Sequence, residues 1–146
     1  MFSPERPSGF DIPIPFVEGV GIRLLSADAT GTLVELDAQT QHLNSAGFVH
    51  GGAIMTLMDV SMAIAGRAHA TEHRPEDTVM ATIEMKTSFM QGAKGLLHCR
   101  AKCLHRTRAL AFCEAEIRDA SDALIARASG TFRFMLRPRI ESNDKS

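Results

Sequence analysis

The stretch that decides the fold is HLNSAGFVHGGAIMTLMDVSMAIAGRAHA, residues 42–70. From Gly51 onward the apolar residues fall on every side of a helical projection, so we predict a buried helix over 51–70. Asp59 stands two turns inside this helix, where an isolated carboxylate is costly unless it is paired or functional. An alternative remains open, in which Asp59 faces solvent or bonds locally near Ser61 and Thr56.

The remainder of the chain has the pattern of β-strands. Two short strands are predicted at about 20–28 and 31–38, and four more follow the helix in IEMKTSF, LHCRAKCL, AFCEAEIRDA and ALIARASGTFRF. In the first of these four, Ile83, Met85 and Phe89 are expected to share one face. Short turns at 91–95, 105–108 and 119–123 favour an antiparallel meander. A helix apolar on all sides is hidden only if the sheet curls around it, which predicts an α+β fold.

Length and composition limit the possible functions. The 146 residues fit one domain over 17–137, preceded by an irregular arm at 1–16 and followed by a flexible tail at 138–146. A net charge of −1 and the absence of a long apolar run argue against nucleic-acid and membrane partners. The N-terminus lacks the pattern of a signal peptide, and three cysteines without a CxxC pair suggest reduced thiols in a cytoplasmic protein.

The start of the helix suggests a binding site. Gly51 and Gly52 expose backbone N–H groups at a positive helix end, which suits an anion or a polarised carbonyl oxygen, although the glycines could simply permit a tight turn. Asn44 and His50 bracket the preceding loop, where plain loop-stabilising hydrogen bonds are the alternative to a catalytic role. Gly51 and Asp59 are about 12 Å apart along the helix, so a site using both needs a second, antiparallel copy and hence a two-fold dimer.

The motif HxNxxGxxHGGxxxxLxD, here HLNSAGFVHGGAIMTLMD, resembles the signature of hotdog-fold thioesterases. The resemblance extends to about residue 136 and is to the branch of the phenylacetic-acid-degradation thioesterase and human thioesterase superfamily member 2. It implies a hotdog fold, with a long central helix wrapped by a curved antiparallel sheet of five to six strands. It also implies hydrolysis of an acyl-CoA thioester by a dimer or a dimer of dimers, with no cofactor.

The resemblance also implies roles for individual residues. Gly51 matches the oxyanion-hole amide, and Asp59 matches the carboxylate that acts across the dimer interface as nucleophile or general base. Asn44 and His50 match residues that position the thioester and the attacking group, and Thr82 matches a hydroxyl residue that orients water.

Residues expected to bind substrate lie around this motif and in one turn. The acyl pocket is predicted to be lined by Phe48, Met55 and Met58, with Gly52 beside the carbonyl. Coenzyme A carries phosphates, so Arg106, Thr107 and Arg108 are candidates for binding it, with Lys94 nearby; an ordinary solvated turn is the equal alternative. No metal is expected, because HATEH at 69–73 does not have the HExxH arrangement.

Two other functions are weighed against hydrolysis. A non-catalytic module that binds acyl-CoA usually carries an appended domain, for which this chain has no room. A hydratase or dehydratase would require an Asp–His pair of the GDxNPxH type, which is not found.

Overall fold

A computed structural model describes residues 2–69 and 78–138. Most of the predicted tail, residues 139–146, therefore lies outside the described residues. The elements in chain order are α1 (Pro15–Val20), β1 (Arg23–Asp28), β2 (Gly31–Asp37), α2 (Gly51–Ala68), β3 (Thr78–Phe89), β4 (Leu96–Arg106), β5 (Leu110–Asp119) and β6 (Leu124–Leu136).

A six-stranded antiparallel sheet wraps around α2. Its strand order is β1-β2-β4-β5-β6-β3, and α2 contacts all six strands. Half of the helix is buried against the sheet, namely Ile54, Leu57, Met58, Val60, Ser61, Met62, Ile64, Ala65 and Gly66. The predicted α+β hotdog architecture is confirmed. No helix in residues 2–69 and 78–138 is both long and apolar enough to span a bilayer.

The position of β3 differs from the prediction. The strands β4, β5 and β6 form the expected meander, but β3 pairs with β6 at the edge of the sheet, from Thr78 opposite Leu136 to Phe89 opposite Ala126. The segment 90–95 is therefore not a hairpin turn. It carries the chain from that edge to β4, which lies between β2 and β5. Turn signals mark where a strand stops, but they do not say which strand it pairs with.

A β-bulge accounts for a second difference. The register of β3 against β6 shifts between Thr82 and Glu84, which leaves Ile83 without a partner and 57% exposed. The prediction that Ile83 lies on one buried face with Met85 and Phe89 is therefore wrong, and Phe89 is itself 54% exposed. In β4 and β5, by contrast, the predicted alternation of buried and exposed side chains is confirmed.

The N-terminal arm ends in a helix and makes specific contacts with the rest of the domain. Its last two residues belong to α1, which begins at Pro15, where the fixed φ of proline suits a first helical turn. Phe10 is completely buried, and the Leu24 N–H donates to the Ser8 carbonyl at 2.8 Å. The Glu18 carboxylate accepts hydrogen bonds from Arg6, Ser8 and the backbone of Ile14. The arm is thereby held against α1 and β1.

The cysteines pack inside the sheet, as the sequence suggests. Cys99, Cys103 and Cys113 are buried free thiols on β4 and β5, and Cys103 lies directly opposite Cys113. Their side chains belong to the core rather than to a surface site.

Candidate active site

The first turn of α2 presents one backbone amide. His50 caps the helix, because its Nδ1 accepts the Gly52 N–H at 2.8 Å. The His50 carbonyl accepts the N–H groups of Ala53 and Ile54. Within the described residues, the Gly51 N–H meets no acceptor, so it is free to bind a ligand. The Gly52 N–H is engaged by His50 and cannot serve as a second free donor. The observed role of His50 is thus the helix cap, one of the two roles that the sequence suggests for it.

Asn44 shapes the loop that leads into the helix. Its Oδ1 accepts the N–H groups of Ala46 at 2.9 Å and Phe48 at 3.1 Å, in the manner of an Asx turn. The Phe48 carbonyl accepts the Asn44 N–H at 2.7 Å, which closes the loop. The Asn44 oxygen therefore serves the loop, and only the amide nitrogen of this side chain remains to meet a substrate.

The Gly51 amide lies in a cleft of about 370 Å³, here called the Gly51 cleft. Asn44 and Phe48 line it as the sequence suggests, and the end of β3 contributes Phe89 and Met90. The Phe48 ring lies over Gly92, where an added Cβ would come within 2.6 Å of ring atoms, and the Lys94 ammonium lies 5.1 Å from the ring centre. Sequence reasoning missed Met90 as a lining residue and assigned Phe89 only to a strand face.

Asp59 is paired with a hydroxyl on the neighbouring strand. The Thr82 hydroxyl donates to Oδ1 of Asp59 at 2.6 Å. Burial raises the pKa of Asp59 above its ordinary value, while the hydrogen bond from Thr82 acts in the opposite direction. The alternative of local bonding is not observed, since Ser61 donates to the Leu57 carbonyl and Thr56 donates to the Gly52 carbonyl.

Asp59 opens into a second cleft of about 280 Å³, here called the Asp59 cleft. One wall is the face of α2 that carries Asp59, Ala63 and Arg67, and another is the arm segment 11–14. The Arg67 guanidinium forms an ion pair with Asp11, and the distance from its Nη1 to Oδ1 of Asp11 is 2.9 Å. Sequence reasoning missed Asp11 and Arg67 as site residues. The spacing of 59, 63 and 67 could have indicated Arg67, because it places Arg67 on the same helix face as Asp59.

One chain does not bring Gly51 and Asp59 together. They line different clefts, and their separation of eight residues corresponds to about 12 Å along the helix. Thr82 accompanies Asp59, whereas Asn44 and Phe48 accompany Gly51. A complete arrangement of these groups around one carbonyl therefore requires two chains.

The other predicted binding residues lie elsewhere. Met55 is half-buried on α2, but Met58 is fully buried in the core, so its predicted role in lining the acyl pocket is not supported. Arg106 ends β4, Thr107 and Arg108 lie in the turn between β4 and β5, and none of the three lines either cleft. The Thr107 hydroxyl accepts the backbone N–H groups of Ala109 and Leu110, which stabilises the turn.

Metal binding finds no support in the described part of the chain. Among residues 2–69 and 78–138, no group of three His, Cys, Asp or Glu side chains is arranged to hold an ion. Within the HATEH segment, residues 70–73 lie outside the described residues. His69 ends α2, and its Nδ1 lies 3.2 Å from the Ala29 carbonyl oxygen.

A long helix wrapped by one antiparallel sheet, with a free amide at its start and a carboxylate halfway along it, defines a hotdog protein with a hydrolase-like site. The model of the family described as Thioesterase superfamily matches residues 46–126, which include α2 and the strands β3 to β5. The chain belongs to the thioesterase superfamily. This membership supports thioester hydrolysis as its type of activity, while the branch within the superfamily stays a prediction.

Individual relatives agree with this assignment. A Mycobacterium tuberculosis protein, Rv1847, is 25% identical over 126 residues, covering 86% of this chain and 89% of its own length. The Caenorhabditis elegans protein F42H10.6 is 35% identical over 104 residues, covering 69% of this chain and 59% of its own length. Both carry the name "Putative esterase".

Solved structures show the same fold. The conserved protein PA5202 from Pseudomonas aeruginosa superposes with a TM-score of 0.74 at 32% identity, covering 84% of this chain and 95% of that one. A structure named thioesterase HI1161 from Haemophilus influenzae gives a TM-score of 0.74 at 16% identity, covering 83% of this chain and 82% of that one.

Proposed function

We propose that this protein hydrolyses an acyl-CoA thioester to the free acid and coenzyme A, at sites shared between two protomers. The observation that carries the proposal is the division of groups along α2. A free amide at the helix start and a half-buried carboxylate at its middle face different clefts. Membership of the thioesterase superfamily supports the reaction type.

Each group has a defined task in this reaction. The Gly51 N–H, reinforced by the positive end of α2, donates a hydrogen bond to the carbonyl oxygen and stabilises the negative charge that develops on it. Asp59 of the other protomer then acts in one of two ways. It attacks the carbonyl carbon to form an anhydride and expel the thiolate of coenzyme A, after which water cleaves the anhydride, or it takes a proton from water that attacks directly. The raised pKa of Asp59 makes its carboxylate a stronger base than an exposed one.

The edge of the sheet supports pairing with a second copy. β3 is an edge strand, and Ile83, Phe89 and Met90 on or next to it are each at least half exposed. An apolar strand edge of this kind is usually covered or paired in a stable protein. We therefore propose a two-fold dimer through β3, alone or within a dimer of dimers, located in the reducing cytoplasm.

The reaction is tested with a panel of acyl-CoA substrates, read as release of free thiol. We expect hydrolysis by the native protein, and loss of hydrolysis with retained acyl-CoA binding in Asp59→Asn. If the native protein binds acyl-CoA without cleaving any member of the panel, the protein is a binding module and the proposal fails. Normal turnover by the Asn variant would remove Asp59 from the mechanism.

The shared site is tested by mixing two inactive variants. Gly51→Pro deletes the amide with little strain, because proline is favoured at a first helical position and His50 before it is extended, at φ −59° and ψ 137°. Gly51→Ala is the matched control that keeps the N–H. When Gly51→Pro and Asp59→Asn chains are mixed and exchange subunits at random, about half of the dimers should be heterodimers, each with one complete site. About a quarter of the native sites should therefore be restored. Absence of restored activity in verified heterodimers would contradict sharing.

A further inference from the structure

The two clefts differ in ways that assign the two halves of a thioester to them. The Gly51 cleft is the more open of the two, and no acidic side chain of the described residues lines it. Lys94 lies over the ring of Phe48, a residue that lines this cleft, and a cation there suits the phosphates of coenzyme A. Both clefts are lined mostly by apolar residues, but the Asp59 cleft is the smaller and more enclosed, and Arg67 and Arg137 also line it. A coenzyme arm that must reach solvent fits the Gly51 cleft, and an acyl group fits the Asp59 cleft.

The Asp59 cleft follows one face of the central helix. Asp59, Ala63 and Arg67 are spaced by four residues, so the lining positions 59 and 67 are about 12 Å apart along the axis of α2. Small Ala63 leaves the middle of this path open.

An ion pair stands eight residues along the helix from Asp59. The Asp11 side chain, from the arm, meets Arg67 at 2.9 Å, and the Arg67 side chain is only 14% exposed. Burial opposes ionisation of Asp11, but hydrogen bonding and the positive charge of Arg67 lower its pKa, which favours the ion pair. An apolar chain long enough to reach this pair would have to desolvate two charges.

We infer that the Asp11–Arg67 pair acts as a length stop, so that the protein selects acyl groups of short to medium length and discriminates against long chains. The inference rests on the proposed thioesterase function and adds two residues to it that set specificity. Asp11 and Arg67 touch the far end of the acyl group and take no part in bond breaking. The arm thus contributes to substrate choice as well as to the fold.

The test is the acyl-chain profile of kcat/KM, measured on saturated acyl-CoA substrates of increasing length. The double variant Asp11→Ala/Arg67→Ala removes both charges together, so neither is left buried alone. We expect its optimum to move to longer chains, with each additional buried methylene worth roughly fourfold in kcat/KM. The native protein should lose activity steeply once the acyl group exceeds the cleft.

A second variant tests the inference in the opposite direction. Ala63→Leu keeps a good helix former but fills the middle of the Asp59 cleft, so the optimum should move to shorter chains. The matched control is Lys102→Ala/Glu114→Ala, which removes another ion pair, 3.3 Å long, between β4 and β5 and away from both clefts. Its profile should equal that of the native protein.

The outcomes separate this inference from the proposed function. Hydrolysis with a profile unchanged in both cleft variants, or a native preference for long chains, overturns the length stop and leaves the thioesterase intact. Absence of hydrolysis by the native protein on every substrate overturns the function itself. If the double variant does not fold, as judged by circular dichroism, Ala63→Leu alone decides.

Discussion

The Thr82 hydroxyl donates a 2.6 Å hydrogen bond to the Asp59 carboxylate, which joins the edge strand β3 to the middle of α2. The role of orienting water, which the resemblance implies for Thr82, stays a prediction, and the observed partner of its hydroxyl is Asp59. This hydrogen bond holds the carboxylate toward the cleft and favours its ionised form against the effect of burial.

Thr82→Val removes the hydroxyl while keeping the branched shape. The pKa of Asp59 should rise further, so the low-pH limb of kcat/KM should move to higher pH, because the carboxylate acts in its ionised form. A hydrogen bond to a charged group is worth about 1.5 kcal/mol, so this limb should move up by about one pH unit. Thr82→Ser keeps the donor and serves as the control. An identical pH profile in the Val variant would contradict this role.

Asp59→Asn should stabilise the protein at neutral pH while removing activity. The pKa of Asp59 is raised in the folded state by burial, so the folded protein binds this proton more tightly than the unfolded chain. Stability from this group is therefore present at low pH and falls as pH rises from the unfolded value of 3.8 through the folded pKa. At pH 7 we expect the Asn variant to have a higher melting temperature and a free energy of unfolding larger by on the order of 1 kcal/mol. Its stability should no longer decline with pH through this group. A lower melting temperature at pH 7 would contradict the sign.

Gly92→Ala should weaken substrate binding through Phe48. The added Cβ would fall 2.6 Å from the Phe48 ring, so the ring must move away from the Gly51 cleft. KM should rise severalfold with kcat nearly unchanged, since remote binding and not the reacting groups is altered. Gly19→Ala is the matched control, because a Cβ there meets nothing within 4 Å. Equal kinetics in the two variants would show that Phe48 does not touch the substrate.

The three cysteines should be slow to react in the native protein. Burial raises the pKa of Cys99 to about 12 and raises that of Cys113 as well, so little thiolate forms at neutral pH. Ellman's reagent should modify less than one thiol in the native state within minutes and all three after denaturation. Activity should persist after treatment of the native protein with iodoacetamide. Rapid loss of activity would place a thiol near the site.

Much of the fold could be predicted because it depends on local patterns. The helix is visible in the apolar run from Gly51, and the strands β4 and β5 are visible in strict alternation. The partner of β3 was not predictable, since pairing with β6 depends on which edge of the sheet is free after the chain has folded. The bulge at Ile83 was also hidden, because alternation continues through it in the sequence.

The candidate site also has features that local sequence predicts and features that depend on packing. The separation of Gly51 from Asp59 followed from helix geometry alone, and the cap formed by His50 was one of two options. Met58 was misplaced because the pattern shows a helix apolar all round, and only the packing shows which side is the core. Asp11 was invisible as a site residue, since its approach to Arg67 depends on the path of the arm.

The free amide and the carboxylate of α2 point into separate clefts, and this has a consequence for how activity depends on concentration. If the site is shared between protomers as proposed, a lone chain would keep its helix, its sheet and both half-sites, yet it would hold no complete site. Specific activity should therefore fall on dilution below the point of self-association, while the circular dichroism of the protein stays the same. Cellular abundance would then set not only how many enzyme molecules exist but what fraction of them can work.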